Sequence, residues 1–220
     1  MPGLDTPIHV DMLKRHRRRH GLLMRILRAV RKEILSKGVY GLEWGDPDVF
    51  DPLKFIRDRY VLPYVNPEHD ALEIGPGGGR WTRYLLGFRK LTVVEYHADL
   101  LEELRKTFRK RSVTFIRNAG TDFPGVAEHT IDYLFSFGTF VHLDLPLIEG
   151  YLANMKPILK PGANVVLHYS DMNKVMAQMN PGFSDNTPEK MRGMVRDAGF
   201  EILEEDLTTM WHSSIIRFTV

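Results

Sequence analysis

The sequence predicts an α/β fold: a doubly wound, mostly parallel seven-stranded sheet with an antiparallel last strand, preceded by an N-terminal helical extension. Three observations predict it. From Asp70 onward short apolar runs alternate with helical segments, a glycine cluster joins the first run to the first helix, and the chain ends on two runs parted only by a turn. Strand, helix, strand in that rhythm implies parallel neighbours, because parallel strands need crossover connections and the crossovers cover both faces of the sheet. The terminal pair has no room for a crossover, so its last strand runs antiparallel.

Residues 1–66 form the extension and carry the positive charge. Residues 1–40 hold ten Lys/Arg against three Asp/Glu, a net +7, which leaves −5 on the rest of a chain whose total is +2. Leu23, Ile26, Leu27, Val30 and Ile34 repeat at helical spacing with Arg25, Arg28, Arg31 and Lys32 on the other faces, between the basic run Lys14 to His20 and a stop at Gly38. A basic amphipathic helix of this kind is expected to pack on the domain by its apolar stripe. Its other uses are as a homodimer surface, or as an arm for nucleic-acid phosphates or an anionic membrane surface. Gly41, Gly45, Pro47 and Pro52 break the next stretch into turns, followed by a short helix from Pro52 to Tyr60 with Asp51 as its cap.

The second unit spans residues 67–220. Strands are expected at 70–74, 91–95, 113–117, 131–136 and 164–168, and helices at 80–87, 98–109, 146–159 and 188–198, the last capped by Thr187 with Pro188 in its first turn. "GFEILEEDLTT" and "SSIIRFTV", parted by "MWH", supply the closing pair. Composition narrows the function. The chain has no cysteine, which excludes disulfides, thiolate metal sites and cysteine nucleophiles. No apolar stretch approaches the roughly 20 residues of a membrane span and no signal-peptide pattern opens the chain, so a cytoplasmic protein is expected.

The glycine cluster "ALEIGPGGGRW", residues 71–81, sits where bare backbone and free helix N–H groups approach a ligand. Its spacing excludes the dinucleotide form Gly-x-Gly-x-x-Gly, since Arg80 or Thr82 falls where the third glycine belongs. It spells Glu73-x-Gly75-x-Gly77-x-Gly79, with Pro76 stiffening the turn and Arg80 and Trp81 starting the helix. Glu95 ends the second strand, 18 positions after Gly77.

This stretch resembles the first motif of the class I S-adenosylmethionine-dependent methyltransferases, and the resemblance covers about residues 68–220. It implies a Rossmann-like methyltransferase fold with S-adenosyl-L-methionine as cofactor and Glu95, followed by Tyr96, as the carboxylate that accepts both ribose hydroxyls. "RNAGTDF" after the third strand falls where the family contacts the adenine, through Asn118, Ala119 and Gly120. The family's adenine aspartate has Ala119 at its position, with Asn118 or Asp122 able to substitute. "FSFGTFVHLD" follows the fourth strand and adds Ser136, Phe137 and Gly138, and "ILKPGANVVL" resembles the signature leading to the fifth.

Methyl transfer from a sulfonium is an in-line displacement that needs an aimed acceptor, excluded water and, for a hydroxyl acceptor, a base. In a parallel sheet those groups come from the carboxyl ends of the strands. His142 is the first candidate for general base and His168, with Asp171 to orient it, the second. Tyr169, Asp171, Trp211 and His212 are expected around the acceptor, and Tyr40 and Trp44 either cap the ligands or anchor turns. Met172, Met176 and Met179, at helical spacing, are expected to cover the sheet edge rather than wall the substrate. His142 with Asp144 and His168 with Asp171 lack metal-ligand spacing, so no metal is expected. The expected activity is methylation of a small-molecule hydroxyl, on a sugar or secondary metabolite, because no added recognition domain is evident and the acidic core repels phosphates. RNA methylation using the basic arm, or a non-catalytic binding scaffold, are the alternatives.

Overall fold

The computed structural model describes residues 45–109 and 111–220. The basic run and amphipathic helix, Tyr40 and Trp44 lie outside the described residues. Seven strands form one sheet in the order β3-β2-β1-β4-β5-β7-β6. They are β1 Asp70–Ile74, β2 Lys90–Glu95, β3 Val113–Arg117, β4 Ile131–Ser136, β5 Leu159–Ser170, β6 Glu201–Asp206 and β7 Ser213–Thr219. The first five pair in parallel, and β7 inserts antiparallel between β5 and β6. Because Ser170 at the end of β5 pairs with Ser213 at the start of β7, the β6–β7 turn opens on the same edge as the carboxyl ends of β1 to β5.

Among the described residues six helices clothe the sheet: α1 Asp51–Ile56, α2 Thr82–Leu85, α3 Ala98–Phe108, α4 Leu145–Met155, α5 Val175–Gln178 and α6 Pro188–Asp197. The alternation of side chains along each strand sorts the core into two layers. Leu72, Ile74, Leu134, Val165, Leu167 and Tyr169 pack under α4 and α6. Ala71, Leu91, Val93, Tyr133, Phe135 and Val166 pack under α1, α2 and α3. Each fully buried large apolar side chain contributes about 1.5–3 kcal/mol to this sandwich.

Several boundaries differ from expectation. The helix expected over 52–60 is α-helical only to Ile56, then relaxes into a wide turn over Arg57–Val61. Phe50 takes its N-cap position and Asp51 lies inside its first turn, so Asp51 is not the cap. Although it falls within the stretch expected to be an extension, this segment buries Leu53, Ile56, Tyr60 and Val61 against the sheet, and the Tyr133 hydroxyl donates to the Tyr60 carbonyl. The helix expected over 80–87 starts only at Thr82, because residues 76–81 are drawn into the glycine turn, closed by Gly79 N–H donating to the Pro76 carbonyl at 2.9 Å. The fourth expected segment ends at Met155, and a tight turn over Lys156–Ile158 leads into a β5 twelve residues long. Thr187 does cap α6, its Oγ1 accepting from Lys190 N–H at 3.4 Å. Met176 and Met179 are 53% and 71% exposed and cover nothing, since only the single turn α5 forms there.

Glycine is required where a side chain would strike the core. A Cβ on Gly79, at φ +88°, would lie 2.4 Å from the Phe108 ring and 2.9 Å from Leu104. Gly79→Ala is therefore expected to cost about 1–3 kcal/mol. Gly193, in the middle of α6 with open space around it, should respond oppositely, Gly193→Ala adding about 0.5–1 kcal/mol through helix propensity. Urea denaturation of the two variants measures both; equal effects would show that the clash is relieved elsewhere.

Candidate cofactor and acceptor site

The loop after β1 is pressed against the loop after β4. Gly75 sits at φ +67° with its N–H donating to the Val94 carbonyl, and a Cβ there would fall 1.9 Å from Thr139 Oγ1. Thr139 Oγ1 in turn donates towards the Ile74 and Gly75 carbonyls, and Ser136 Oγ donates to Ile74 at 2.8 Å. Gly77 also has positive φ, at +56°. Arg80 is buried, reaches the Gly45 carbonyl at 3.2 Å and lies 5.5 Å from the Phe137 ring centre. Trp81 packs at 4.7 Å on Phe137 and 5.3 Å on Phe135.

Two acidic side chains lie beneath this loop. Glu73 shares the strand parity of Ala71 and faces α2, where Thr82 Oγ1 donates to its Oε2 at 2.6 Å. Burial, opposed by that bond and reinforced by Glu95, pushes the Glu73 carboxyl up to about 8. Glu95 is buried at the end of β2, and its Oε1 accepts from both the backbone N–H and Nδ1 of His97, each at 2.9 Å. Tyr96 follows, about one third exposed and edge-on to the His97 ring.

After β3, Asn118 is buried and its amide nitrogen donates to the Gly120 carbonyl at 2.7 Å and the Tyr151 hydroxyl at 2.9 Å. Its Oδ1 is buried with no hydrogen-bond partner. Asp122 Oδ1 accepts the N–H groups of Ala119 and Gly120 and so holds the turn. The choice between Asn118 and Asp122 thereby acquires a physical basis: the orphan acceptor belongs to Asn118.

On the acceptor side the expected residues separate. His168 is buried with both ring nitrogens engaged. Gly138 N–H donates to Nδ1 at 3.1 Å, so the proton sits on Nε2 and points to Ser213 Oγ at 2.5 Å. Its ring stacks on Phe137 at 3.9 Å. Burial first, then His212, Arg80, His142 and Lys174, hold its pKa well below the ordinary 6.5. With no lone pair left to take a proton, His168 is unsuited to be the base. Asp171 does not orient it: its carboxylate accepts from Ser214 Oγ at 2.7 Å and Asn173 N–H, beside Lys174 at 3.5 Å. Tyr169, next to His168 on β5, points to the opposite face and is buried in the α4–α6 layer, away from any acceptor. Trp211 is 66% exposed on the outer rim, edge-on to Phe50 at 6.4 Å.

His142 and His212 do converge. His142, on the short 3₁₀ turn Phe140–His142, has its Nδ1 at 2.6 Å from the Gly182 carbonyl, which assigns the ring proton to Nδ1 and makes Nε2 the basic nitrogen. Phe183 stands edge-on between His142 at 5.5 Å and His212 at 5.2 Å. Burial, aided by Lys174, lowers the pKa of His212. Phe183 escaped sequence reading because it lies in an irregular stretch, "NPGFSDN", with no periodicity to mark it. His97 escaped because a histidine two residues beyond a strand carries no pattern.

A Rossmann-like α/β fold with glycine turn, strand-end carboxylate and an orphan acceptor after β3 defines a nucleoside-binding protein. Residues 71–162 match the family described as a methyltransferase domain. Those residues carry a methyltransferase domain, and the protein is an S-adenosylmethionine-dependent methyltransferase with S-adenosylmethionine as cofactor. Among solved structures it is similar to the PH0226 protein from Pyrococcus horikoshii OT3, at 14% identity over 82% of this chain and 96% of that one, TM-score 0.67. A second likeness is to an S-adenosylmethionine-dependent methyltransferase from Mesorhizobium loti, at 13% identity over 79% and 100%, TM-score 0.65. A third is to the glycopeptide N-methyltransferase MtfA complexed with S-adenosylmethionine, at 15% identity over 70% and 82%, TM-score 0.57. At these identities the likeness is one of fold. No curated protein matches the chain. Among the described residues no helix is long and apolar enough to cross a membrane, and no group of three metal-ligating side chains gathers.

Two buried groups give stability opposite pH dependences. Unfolded His168 takes up a proton below about 6.5 whereas the folded protein refuses it, so its contribution is present above that pH and lost as pH falls. Glu73, raised from 4.5 to about 8, contributes below 4.5 and loses that contribution as pH rises toward 8. Glu73→Gln, which keeps an acceptor for Thr82, is expected to melt higher than the unaltered protein at pH 8 and to lose that advantage at pH 4.5. Melting temperatures across that range test it; a constant offset between the two would refute the assignment.

Proposed function

We propose that the protein methylates a hydroxyl group of a small-molecule acceptor, a sugar or secondary metabolite, with His142 as general base. One observation carries the reading: the Nδ1 bond of His142 to Gly182 places the ring proton on Nδ1 and leaves Nε2 the basic nitrogen, in a residue beyond β4 that Phe183 joins to His212. We divide the chain into an extension, residues 1–66, whose described end is docked on the sheet, and a methyltransferase domain, residues 67–220.

The residues present suit the cofactor. Gly75, Pro76, Gly77 and Gly79 make a tight turn, packed on Thr139, Phe108 and Leu104 where a Cβ would clash, whose backbone would meet the ligand over Glu73 and ahead of Arg80 and Trp81. Glu95 accepts the ribose hydroxyls and Tyr96 flanks the base. Asn118 Oδ1 accepts from the adenine amino group, which supplies the partner it lacks within the protein, and Ala119 and Gly120 shape that loop. Ser136, Phe137 and Gly138, which tie the end of β4 to β1 and β5, would support the floor on which the cofactor and acceptor meet. The bound cofactor supplies a methyl group already activated on a sulfonium. What the protein adds is alignment, a dry aromatic wall of Phe137 and Phe183, and removal of the hydroxyl proton to His142 Nε2. His212, kept neutral by burial, offers the acceptor a hydrogen bond, while His168 holds Gly138 in place.

His142→Ala is expected to lower kcat by about 10²–10⁴ with cofactor affinity unchanged. Release of S-adenosylhomocysteine with a panel of sugar and phenolic hydroxyl acceptors, together with calorimetry of cofactor binding, measures both. Unaltered kcat would remove His142 from the mechanism. Turnover on RNA that falls steeply with salt would replace the small-molecule acceptor with a polyanion bound through the basic arm.

A further inference from the structure

We infer that His97 is a positioning residue for cofactor binding, its ring and backbone N–H together holding one oxygen of the Glu95 carboxylate so that the other faces the ribose hydroxyls. The inference rests on the reading of Glu95 as the ribose-binding carboxylate.

Three features support it. First, His97 occupies the N-cap of α3, with extended backbone at φ −85° and ψ 115° and its carbonyl accepting from Leu101 N–H at 3.0 Å. Ser, Thr, Asp or Asn at such a position would cap the helix through a side-chain oxygen. The His97 side chain makes no cap bond. It turns back instead, and Nδ1 meets Glu95 Oε1 at 2.9 Å. Second, the backbone N–H of the same residue donates to that same oxygen, also at 2.9 Å. A carboxylate oxygen accepts about two such bonds, so Oε1 is saturated and Oε2 is the oxygen available to a ligand. Third, the Glu95 side chain is only 6% exposed and lies near Glu73, so bulk water does not orient it. The His97 ring is itself braced edge-on by Tyr96, whose carbonyl accepts from Arg117. The helix thus forgoes a better cap at this position, and the side chain there fixes a carboxylate instead.

The test crosses protein and ligand. Binding of S-adenosylhomocysteine, and of its analogue lacking both ribose hydroxyls, is measured by calorimetry for the unaltered protein, His97→Ala, His97→Asn and Glu95→Ala. His97→Ala is expected to weaken S-adenosylhomocysteine about tenfold and the analogue less than about twofold, because only the hydroxyls read the carboxylate's orientation. His97→Asn, whose amide nitrogen replaces Nδ1, should recover most of the loss. Equal weakening of both ligands, or none of either, overturns the inference. Glu95→Ala separates it from the reading beneath: unchanged affinity there refutes Glu95 as the ribose ligand, whereas loss there with a neutral His97→Ala refutes the role of His97 alone.

Discussion

The close approach of Gly75 to Thr139 is the constraint on which the working edge depends. Because no side chain stands between them, the loop after β1 and the loop after β4 lie in direct contact, tied through the Ile74 and Gly75 carbonyls. From there hydrogen bonds continue sideways. Gly138 N–H reaches His168 on β5, and His168 reaches Ser213 at the start of β7. Four strands are thereby laced at one level, and the turn that would hold the cofactor shares its geometry with the hairpin that carries His212. A parallel sheet alone does not give this, since its ladders fix strand spacing but leave the loops beyond the last rung free.

The polar groups along that edge stay buried because each has been given a partner or deprived of its charge. His168 remains neutral since protonation would cost it the Gly138 bond and its solvation together. Lys174 keeps its charge in a half-buried position by donating to the Met210 and Ser213 carbonyls and to Ser214 Oγ, close to Asp171. That arrangement pins the hairpin to the segment after β5. Exceptions are Trp81 Nε1, His212 Nδ1 and Asn118 Oδ1, and a buried acceptor without a donor costs about 1–3 kcal/mol until something supplies one. The orphan acceptor after β3 is where an incoming donor would relieve that cost.

What the sequence made legible, and what it hid, follows the range of the interactions. The glycine turn, the seven strands and the Thr187 cap are local features, set by residues within a few positions of one another, and they stand where the pattern puts them, except that β5 extends beyond the expected 164–168 at both ends. The adjacency of His168 and Tyr169 was misleading: consecutive residues on a strand face opposite layers, so the two were never able to line one pocket. Counting parity from Val166 would have sent Tyr169 to the core. Phe183 could not be found that way, since it is placed by long-range anchors: Ser184 N–H on the Val141 carbonyl, Ser170 on Ser184 and His142 on Gly182. Likewise the methionines at helical spacing lack a partner surface, and spacing without one gave only the single turn α5.

Those anchors also explain how the two halves of the edge differ in kind. The loop after β1 is built of backbone groups and buried side chains, and Glu95 and Asn118, at the starts of the next two connections, are buried as well; such a surface suits a ligand whose shape does not vary. The stretch from Asp171 to Thr187 and the hairpin 207–212 are held at a few points and leave Val175, Met176, Met179 and Trp211 outward. Loops tolerate substitution between anchors far better than at them. In the proposed reading, cofactor recognition is therefore confined to the half built on backbone and buried side chains, and acceptor choice lies in the half where side chains can change without disturbing the lacing of Gly75, Thr139, Gly138, His168 and Ser213.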